Sequence, residues 1–383
     1  MDKPTVQDIF HRFYPTYLDR YSPSPVQAHA AHNIMNCKTG AYGANVCVCE
    51  DCGSIQIHYN SCRNRCCPMC QAIPKEMWMD ARREDVLDAP YFHLVFTVPD
   101  ILNPIIYSNQ KLLYDALYHA VSATISELAA DPKHLGAKVG YICILHTWGS
   151  EMNFHPHIHT ILLGGGLTGE NQWKAKGENF FLPIRVVSKV FRGKYMEEVK
   201  RLWEEDKLVF HGTAEKYRNH YSFKELLDSC YRTDWVPHCK KTFNGAQSVI
   251  NYLGKYTHRI AISNHRIISM DNDTVTFSVK DYRNEGQWKK LTLPGAEFIR
   301  RFLMHVPPKR FVRIRHYGLL CSRTKNQKLA LCRNLLGCQK YLSKLRDMEM
   351  PEILEHLYGI KVCVCKACGG HLGKPQPRMP MRC

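Results

Sequence analysis

The stretch NFHPHIHTILLGGG, residues 153–166, places His155, His157 and His159 at alternate positions. On a strand, residues i, i+2 and i+4 share a face. The three imidazoles are therefore expected to point together, with Phe154, Ile158 and Thr160 on the other side. Pro156 has no N–H for a ladder, so regular pairing is expected to begin near it. Grouped imidazoles suit a divalent metal; a buried strand that carries polar residues is the plainer reading. A second stretch, NYLGKYTHR at 251–259, sets Tyr252 and Tyr256 four apart on an expected helix. They share one face, about 6 Å apart along the axis. An aromatic stripe packed in the core would explain the pair alone. Lys255, His258 and Arg259 beside it argue for a working surface. A phenolate can attack phosphorus and form a covalent intermediate, and a metal beside the phosphate would polarise and orient it.

Cysteine supplies the third constellation. Cys37, Cys47, Cys49, Cys52, Cys62, Cys66, Cys67 and Cys70 crowd one stretch, and Cys363, Cys365, Cys368 and Cys383 crowd the end. Cys49-x2-Cys52 and Cys67-x2-Cys70, fourteen residues apart, have the spacing of paired knuckles that offer zinc four thiolates. Cys37, Cys47, Cys62 and Cys66 could complete a second site. The tail pair Cys365 and Cys368, with Cys363, His371 and Cys383 nearby, is expected to form a further knuckle. Arg63 and Arg65, between the thiols, suit phosphate contact.

The elements that must position these residues follow from pattern. Helices are expected over VQDIFHRFYPTYLDRY, kinked or broken near Pro15, over SPSPVQAHAAHNIMN and over PKEMWMDARREDVLDA. YFHLVFTVP, KVGYICILHTW and HPHIHTILLGG read as strands around the long helix QKLLYDALYHAVSATISELAA. RGKYMEEVKRLWEED and NGAQSVINYLGKYTH read as helices, DWVPHCKKTF as a strand. RIAISNHRIISM, TVTFSVKDYR and QWKKLTLP read as antiparallel strands. The fold class is α+β, an antiparallel sheet with helices laid over it.

Lys+Arg exceed Asp+Glu by 52 − 35 = 17 charges, which favours a polyanionic partner, most often nucleic acid. Eleven Lys/Arg and no Asp or Glu lie between Lys309 and Arg346, Arg313 and Arg315 among them, with His316 and Tyr317 interleaved. That composition suits a track for a DNA strand. No signal peptide and no apolar run of about 18 residues is visible, so a cytoplasmic, nucleoid-associated protein with no membrane partner is expected. Its cysteines should be thiols or metal ligands.

The sequence resembles the HUH endonucleases in the replication-initiator order, through histidine-hydrophobe-histidine followed by Tyr-x3-Tyr. It is also similar to the rolling-circle insertion-sequence transposases of the IS91 group, through YNSCRNRCCPMCQ, YFHLVFTVP, LHTWGSEMNFHPHIHTILLGGG, YLGKYTHRIAISNHRI and VRIRHYGLL. The resemblance implies a zinc-binding, mostly helical N-terminal domain over 1–88 that recognises DNA. It implies an HUH nuclease domain over 89–318 and a basic C-terminal region over 319–383. It implies a transposase that nicks and rejoins single-stranded DNA at element ends and target through a 5′-phosphotyrosine. Tyr252 and Tyr256 would be the nucleophiles, and His157 and His159 would hold Mg2+ or Mn2+. His155 is the first candidate for a third ligand and Glu151 the second. Cys66 stands where the group usually has histidine. A plasmid or phage replication initiator shares the chemistry, and a non-catalytic zinc-ribbon DNA-binding protein is the reading outside enzymes.

Overall fold

The computed structural model describes residues 3–176, 182–235, 238–241, 248–250, 252, 254, 260–281 and 286–379. Tyr256, Lys255, His258, Arg259 and Cys383 lie outside them. Two antiparallel sheets and a small ribbon carry the molecule. The main sheet runs, edge to edge, Ile314–Gly318, Lys138–Trp148, Phe154–Leu167, Tyr91–Thr97 and His238–Lys241, with Trp173–Ala175 paired to Phe154–Leu167. Its strands are β3 (Tyr91–Thr97), β4 (Lys138–Trp148), β5 (Phe154–Leu167), β6 (Trp173–Ala175), β7 (His238–Lys241) and β11 (Ile314–Gly318). β8 (Ile267–Met270), β9 (Thr274–Asp281) and β10 (Gln287–Pro294) form the second sheet. β1 (Ala44–Val48) and β2 (Ile55–Tyr59) form a ribbon in the head, joined by β12 (Gln376–Arg378) from the tail. The mixed antiparallel architecture is the one that the periodicities imply.

Both faces of the main sheet are covered, which explains why β4 and β5 are almost continuously buried rather than alternating. One face meets α5 (Gln110–Ala130), α6 (Ile184–Glu204) and α7 (His220–Arg232). Phe92, Leu94, Phe96, Leu145, Ile158 and Leu162 fill that core with Tyr118, Phe191 and Tyr195. The other face carries Ile142, Ile144, Ile161 and Leu163. It is covered by Met79 of α3 (Ala72–Arg83), by Ile250 and half-buried Tyr252, and by Leu329 and Cys332 of the helix Lys325–Leu336.

The first helices of the head do not close a core of their own. Val6, Ile9, Phe10 and Phe13 of α1 (Val6–Leu18) pack with Val275, Phe277, Phe298 and Phe302. A Cβ on Gly295 would sit 2.2 Å from the Phe13 ring, so only glycine admits this docking. α1 runs through Pro15 instead of breaking there. The N–H that proline lacks would have bonded the carbonyl of His11, which is on the exposed side where water can serve it. Among the described residues, no helix is long and apolar enough to cross a membrane.

Candidate active site and metal centres

Strand register gathers the histidines. His146 on β4 lies directly opposite His157, and Thr97 and Val95 on β3 lie opposite His157 and His159. Because pairing and alternation fix the face, His93, His146, His157 and His159 all project to one side of the sheet. His93 and His146 are the two members that the sequence reading did not single out. Each is a histidine inside an otherwise apolar strand, YFHLVFT and KVGYICILHTW, which is the signal that could have found them.

The nitrogens of His146, His157 and His159 lie within 4.8 Å of one another. His157 Nδ1 donates to the carbonyl of His155 at 2.7 Å, which leaves its Nε2 as a lone pair 3.0 Å from His159 Nε2. Burial, then the charge of His155, pushes His157 down to about 4. Burial, then His146, His157 and His93, hold His159 well below the usual imidazole range. Neutral imidazoles aimed at one point are what a divalent cation binds. No carboxylate joins the trio among the described residues, a donor set better suited to Mn2+ or Zn2+ than to Mg2+.

His155 does not complete this trio; His146 does. Between Trp148↔Phe154 and His146↔His157 the register shifts by one residue, so β5 bulges at His155 and Pro156. The bulge leaves the His155 ring 5.1 Å from that of His157 but turns its Nδ1 to Asp100 Oδ1, 3.4 Å away. Glu151, the second candidate, forms an ion pair with Lys289 at 3.1 Å. The hairpin at this end is clamped from the segments that flank the second sheet, the turn just before β8 and the helix Gly295–Met304 with its C-terminal end. Arg266 donates to the Ser150 carbonyl at 2.6 Å, Arg301 to that of Glu151 at 3.1 Å, and His305 to that of Met152 at 3.0 Å.

Tyr252 reaches this cluster from above. Residues 248–250, 252 and 254 are helical, and the Tyr252 hydroxyl lies 2.5 Å from His93 Nε2 and 3.3 Å from His159 Nδ1. His93 Nε2 is itself 2.9 Å from His159 Nδ1. One ring thus touches both the phenol and the outer nitrogen of a candidate metal ligand, a position that orients the ligand. Tyr256, the second expected nucleophile, is outside the described residues, as are Lys255, His258 and Arg259.

The cysteines divide differently from the expected knuckle pair. Cys67 and Cys70 meet Cys37 and Cys62, whereas Cys49 and Cys52 meet Cys365 and Cys368. Cys62 and Cys70 Sγ lie 3.8 Å apart, against about 3.8 Å for the edge of a tetrahedron with 2.3 Å metal–sulfur bonds. Hydrogen bonds from Cys62 and Cys67 draw Cys70 strongly toward thiolate. Cys47 and Cys66 belong to neither quartet. Cys66 is buried, its thiol pushed up to about 11 by burial against the pull of Arg313 and Arg65. The residue that departs from the IS91 pattern is therefore outside both sulfur clusters.

Of the expected DNA contacts, Arg63 is exposed, with a left-handed φ of 54°. Arg65 is spent on the carbonyls of Phe311 and Pro308 (3.0 Å for the latter). Arg313 lies over the Trp148 ring at 5.6 Å. Arg315 pairs with Asp115 and lies 4.0 Å over the Tyr118 ring.

Residues 9–98 match the family model described as "Transposase zinc-binding domain", of the IS91 type, and residues 140–328 match the one described as "Putative transposase". "Putative transposase y4qJ" of Sinorhizobium fredii is 40% identical over 369 residues, 95% of this chain and 93% of that protein. "Transposase for insertion sequence element IS801" of Pseudomonas savastanoi pv. phaseolicola is 27% identical over 315 residues, 79% and 72% of the two chains. A metal-free structure of the conjugative relaxase TrwC with oriT DNA is similar over 29% of this chain and 44% of that one. Its 20% identity and TM-score of 0.22 carry no weight for function. The zinc-binding head and the histidine-bearing sheet are thus those of an insertion-sequence transposase, and the chain belongs to the IS91 family. The thiol quartets agree with structural zinc.

Proposed function

We propose that this transposase cuts and rejoins single-stranded DNA at the ends of its element, by the HUH-type chemistry that rolling-circle transposition uses. The observation that carries the proposal is the Tyr252 hydroxyl, 2.5 Å from His93 and 3.3 Å from His159, against three buried, converging imidazoles. The phenol oxygen attacks phosphorus, the bond to the 3′ oxygen breaks, and that oxygen leaves as a free 3′-OH after taking up a proton. The 5′ phosphate stays on the tyrosine, which keeps the energy of the cut bond for rejoining without ATP. His93 receives the phenol proton and aligns the oxygen. Mg2+ or Mn2+ held by His146, His157 and His159 would polarise the phosphate and neutralise its charge. In this reading Tyr256 is a second nucleophile, so that one tyrosine holds a cut end while the other attacks. The divisions 1–88, 89–318 and 319–383 serve recognition, chemistry and strand tracking.

Labelled single-stranded DNA carrying the element's end, incubated with the protein and Mn2+, should give a denaturant-resistant adduct with a free 3′-OH on the released strand. Peptide mapping should place the DNA on Tyr252 or Tyr256. An adduct that persists in the Tyr252→Phe/Tyr256→Phe double variant would sink the proposal.

A further inference from the structure

We infer that Cys49, Cys52, Cys365 and Cys368 form one zinc site shared between the two ends of the chain, so that the tail completes the head. The matched zinc-binding stretch ends at residue 98, and the matched transposase stretch ends at 328. Cys365 and Cys368 lie beyond both.

Three observations converge. The sulfur geometry is the first. Cys49 and Cys368 Sγ are 3.5 Å apart, Cys52 and Cys365 Sγ 3.8 Å, and all four sulfurs lie within 4.8 Å of one another. Those spacings are close to the edge of about 3.8 Å in a zinc–thiolate tetrahedron and far beyond the 2.05 Å or so of a disulfide.

The second is that the two loops are the same turn. In each, the glycine after the second cysteine has a left-handed φ, 69° at Gly53 and 78° at Gly369. Gly53 N donates to the Cys49 carbonyl at 3.0 Å, and Gly369 N to that of Cys365 at 2.9 Å. Cys49 N donates to Ser54 O at 2.9 Å, and Cys365 N to Gly370 O at 2.8 Å. These N–H bonds shape each loop as a knuckle with both sulfurs on one side. Cys70 is followed by Gln71 and lacks this signature.

The third is that backbone holds the loops face to face. β12 pairs with β1 over Ala44↔Arg378 to Val46↔Gln376, and Cys49 bridges Leu372. Glu50 N donates to His371 O at 3.1 Å, Gly373 N to Val48 O at 2.9 Å, and His371 N to Asp51 Oδ2 at 3.1 Å. A Cβ on Gly370 would stand 1.8 Å from Asp51 Oδ2, so glycine is needed for this approach. Among the described residues, only Cys47, Cys49, Cys365 and Leu372 form the buried apolar cluster here. Four small side chains are a meagre core for joining segments more than three hundred residues apart. A metal is the device that stabilises so small a contact.

Cys52 and Cys368 are exposed, as are Cys321 and Cys363, which belong to no quartet. This contrast gives a test on the unaltered full-length protein, purified without chelators. Alkylation with iodoacetamide, mapped by mass spectrometry, should modify Cys321 and Cys363 at once. Cys52 and Cys368 should react slower by roughly ten-fold or more, because a zinc-bound thiolate is a blocked nucleophile. When a chelator withdraws the metal, Cys49, Cys52, Cys365 and Cys368 should lose protection at one common rate. Reaction of Cys52 and Cys368 as fast as Cys321 overturns the site, and so do different rates for the head pair and the tail pair. Native mass spectrometry supplies a second reading. Cys365→Ser/Cys368→Ser and Cys49→Ser/Cys52→Ser should each lose one zinc, and the combined variant should still lose only that one. A loss of two from the combined variant would mean separate sites and defeat the inference.

Discussion

At the scale of single residues, the site divides into groups that touch the reacting atoms and groups that hold them. Tyr252→Phe removes only the phenol oxygen, so adduct at that position should fall by roughly a thousand-fold or more while DNA binding persists. Gel-resolved adduct yield beside a filter-binding isotherm checks it. His146→Ala should depress cleavage as severely as His157→Ala, and His155→Ala should leave most of it. Equal loss in all three would restore His155 to the metal set. The sequence displays the alternation of His155, His157 and His159 but not the bulge at Pro156 that takes His155 out of it. A bulge depends on what the neighbouring strand pairs with, and β4 is chosen by the fold. His305 gives a pH prediction. It is buried between Thr147 Oγ1 at 3.1 Å and the Met152 carbonyl at 3.0 Å, and burial lowers it to about 4. The unfolded chain, near 6.5, takes up the proton first. Its stabilising contribution is therefore full above about pH 6.5 and is lost as pH falls toward 4, at most about 3 kcal/mol. Melting temperatures between pH 7.5 and 5 should fall less steeply in His305→Gln than in the parent.

Elements set where these residues meet. The types of the expected helices and strands were readable because apolar periodicity is local, as in Thr274–Asp281 and Gln287–Pro294; of RIAISNHRIISM only Ile267–Met270 is a strand, Asn264–Arg266 being a 3-10 turn, and the helices His220–Arg232 and Gly295–Met304 went unread. Register, and the partner that covers each face, were not readable. The opening stretch illustrates this with its glycines. A Cβ on Gly165 would stand 2.4 Å from the Trp173 ring, and one on Gly166 2.4 Å from the Lys138 carbonyl. The run after the histidines thus lets β4 and β6 close on β5. The tyrosine segment has a similar constraint. A Cβ on Gly254 would meet Met79 Sδ at 1.9 Å and Lys75 Cε at 3.3 Å, so α3 of the head sets how low Tyr252 rides on the sheet. Gly254→Ala should slow adduct formation by roughly ten- to a hundred-fold through misplacement of the phenol. Met79→Ala, which vacates the space, should restore much of the rate in the double variant. Adduct time courses of the four proteins decide it; additive losses would show that the two side chains do not share this contact.

For the molecule as a whole, net charge and available charge differ. The stretch from Lys309 to Arg346 reads as an unbroken basic track, yet the fold spends part of it internally. Lys325 pairs with Asp85 at 2.7 Å, Arg346 with Glu84 at 2.7 Å and Arg315 with Asp115, while Arg333 donates to the Glu84 carbonyl. Lys309, Arg310, Arg323, Lys340 and Lys344 remain exposed. Composition could count these charges but could not say which ones Glu84 and Asp85, just past α3, and Asp115 of α5 would claim. If the exposed group tracks a DNA strand, each phosphate contact contributes about 0.7 to the slope of log affinity against log salt. Replacing Lys309, Arg310 and Arg323 together by alanine should therefore lower that slope by about 2 and leave the melting temperature unchanged. Arg315→Ala should do the reverse, because it leaves Asp115 with Lys111 alone and takes the cation from the Tyr118 ring: stability falls and the slope holds. Fluorescence anisotropy on a labelled oligonucleotide between 50 and 300 mM salt, roughly the span over which such slopes are resolved, separates the two. An undiminished slope in the triple variant would place the strand elsewhere on the surface.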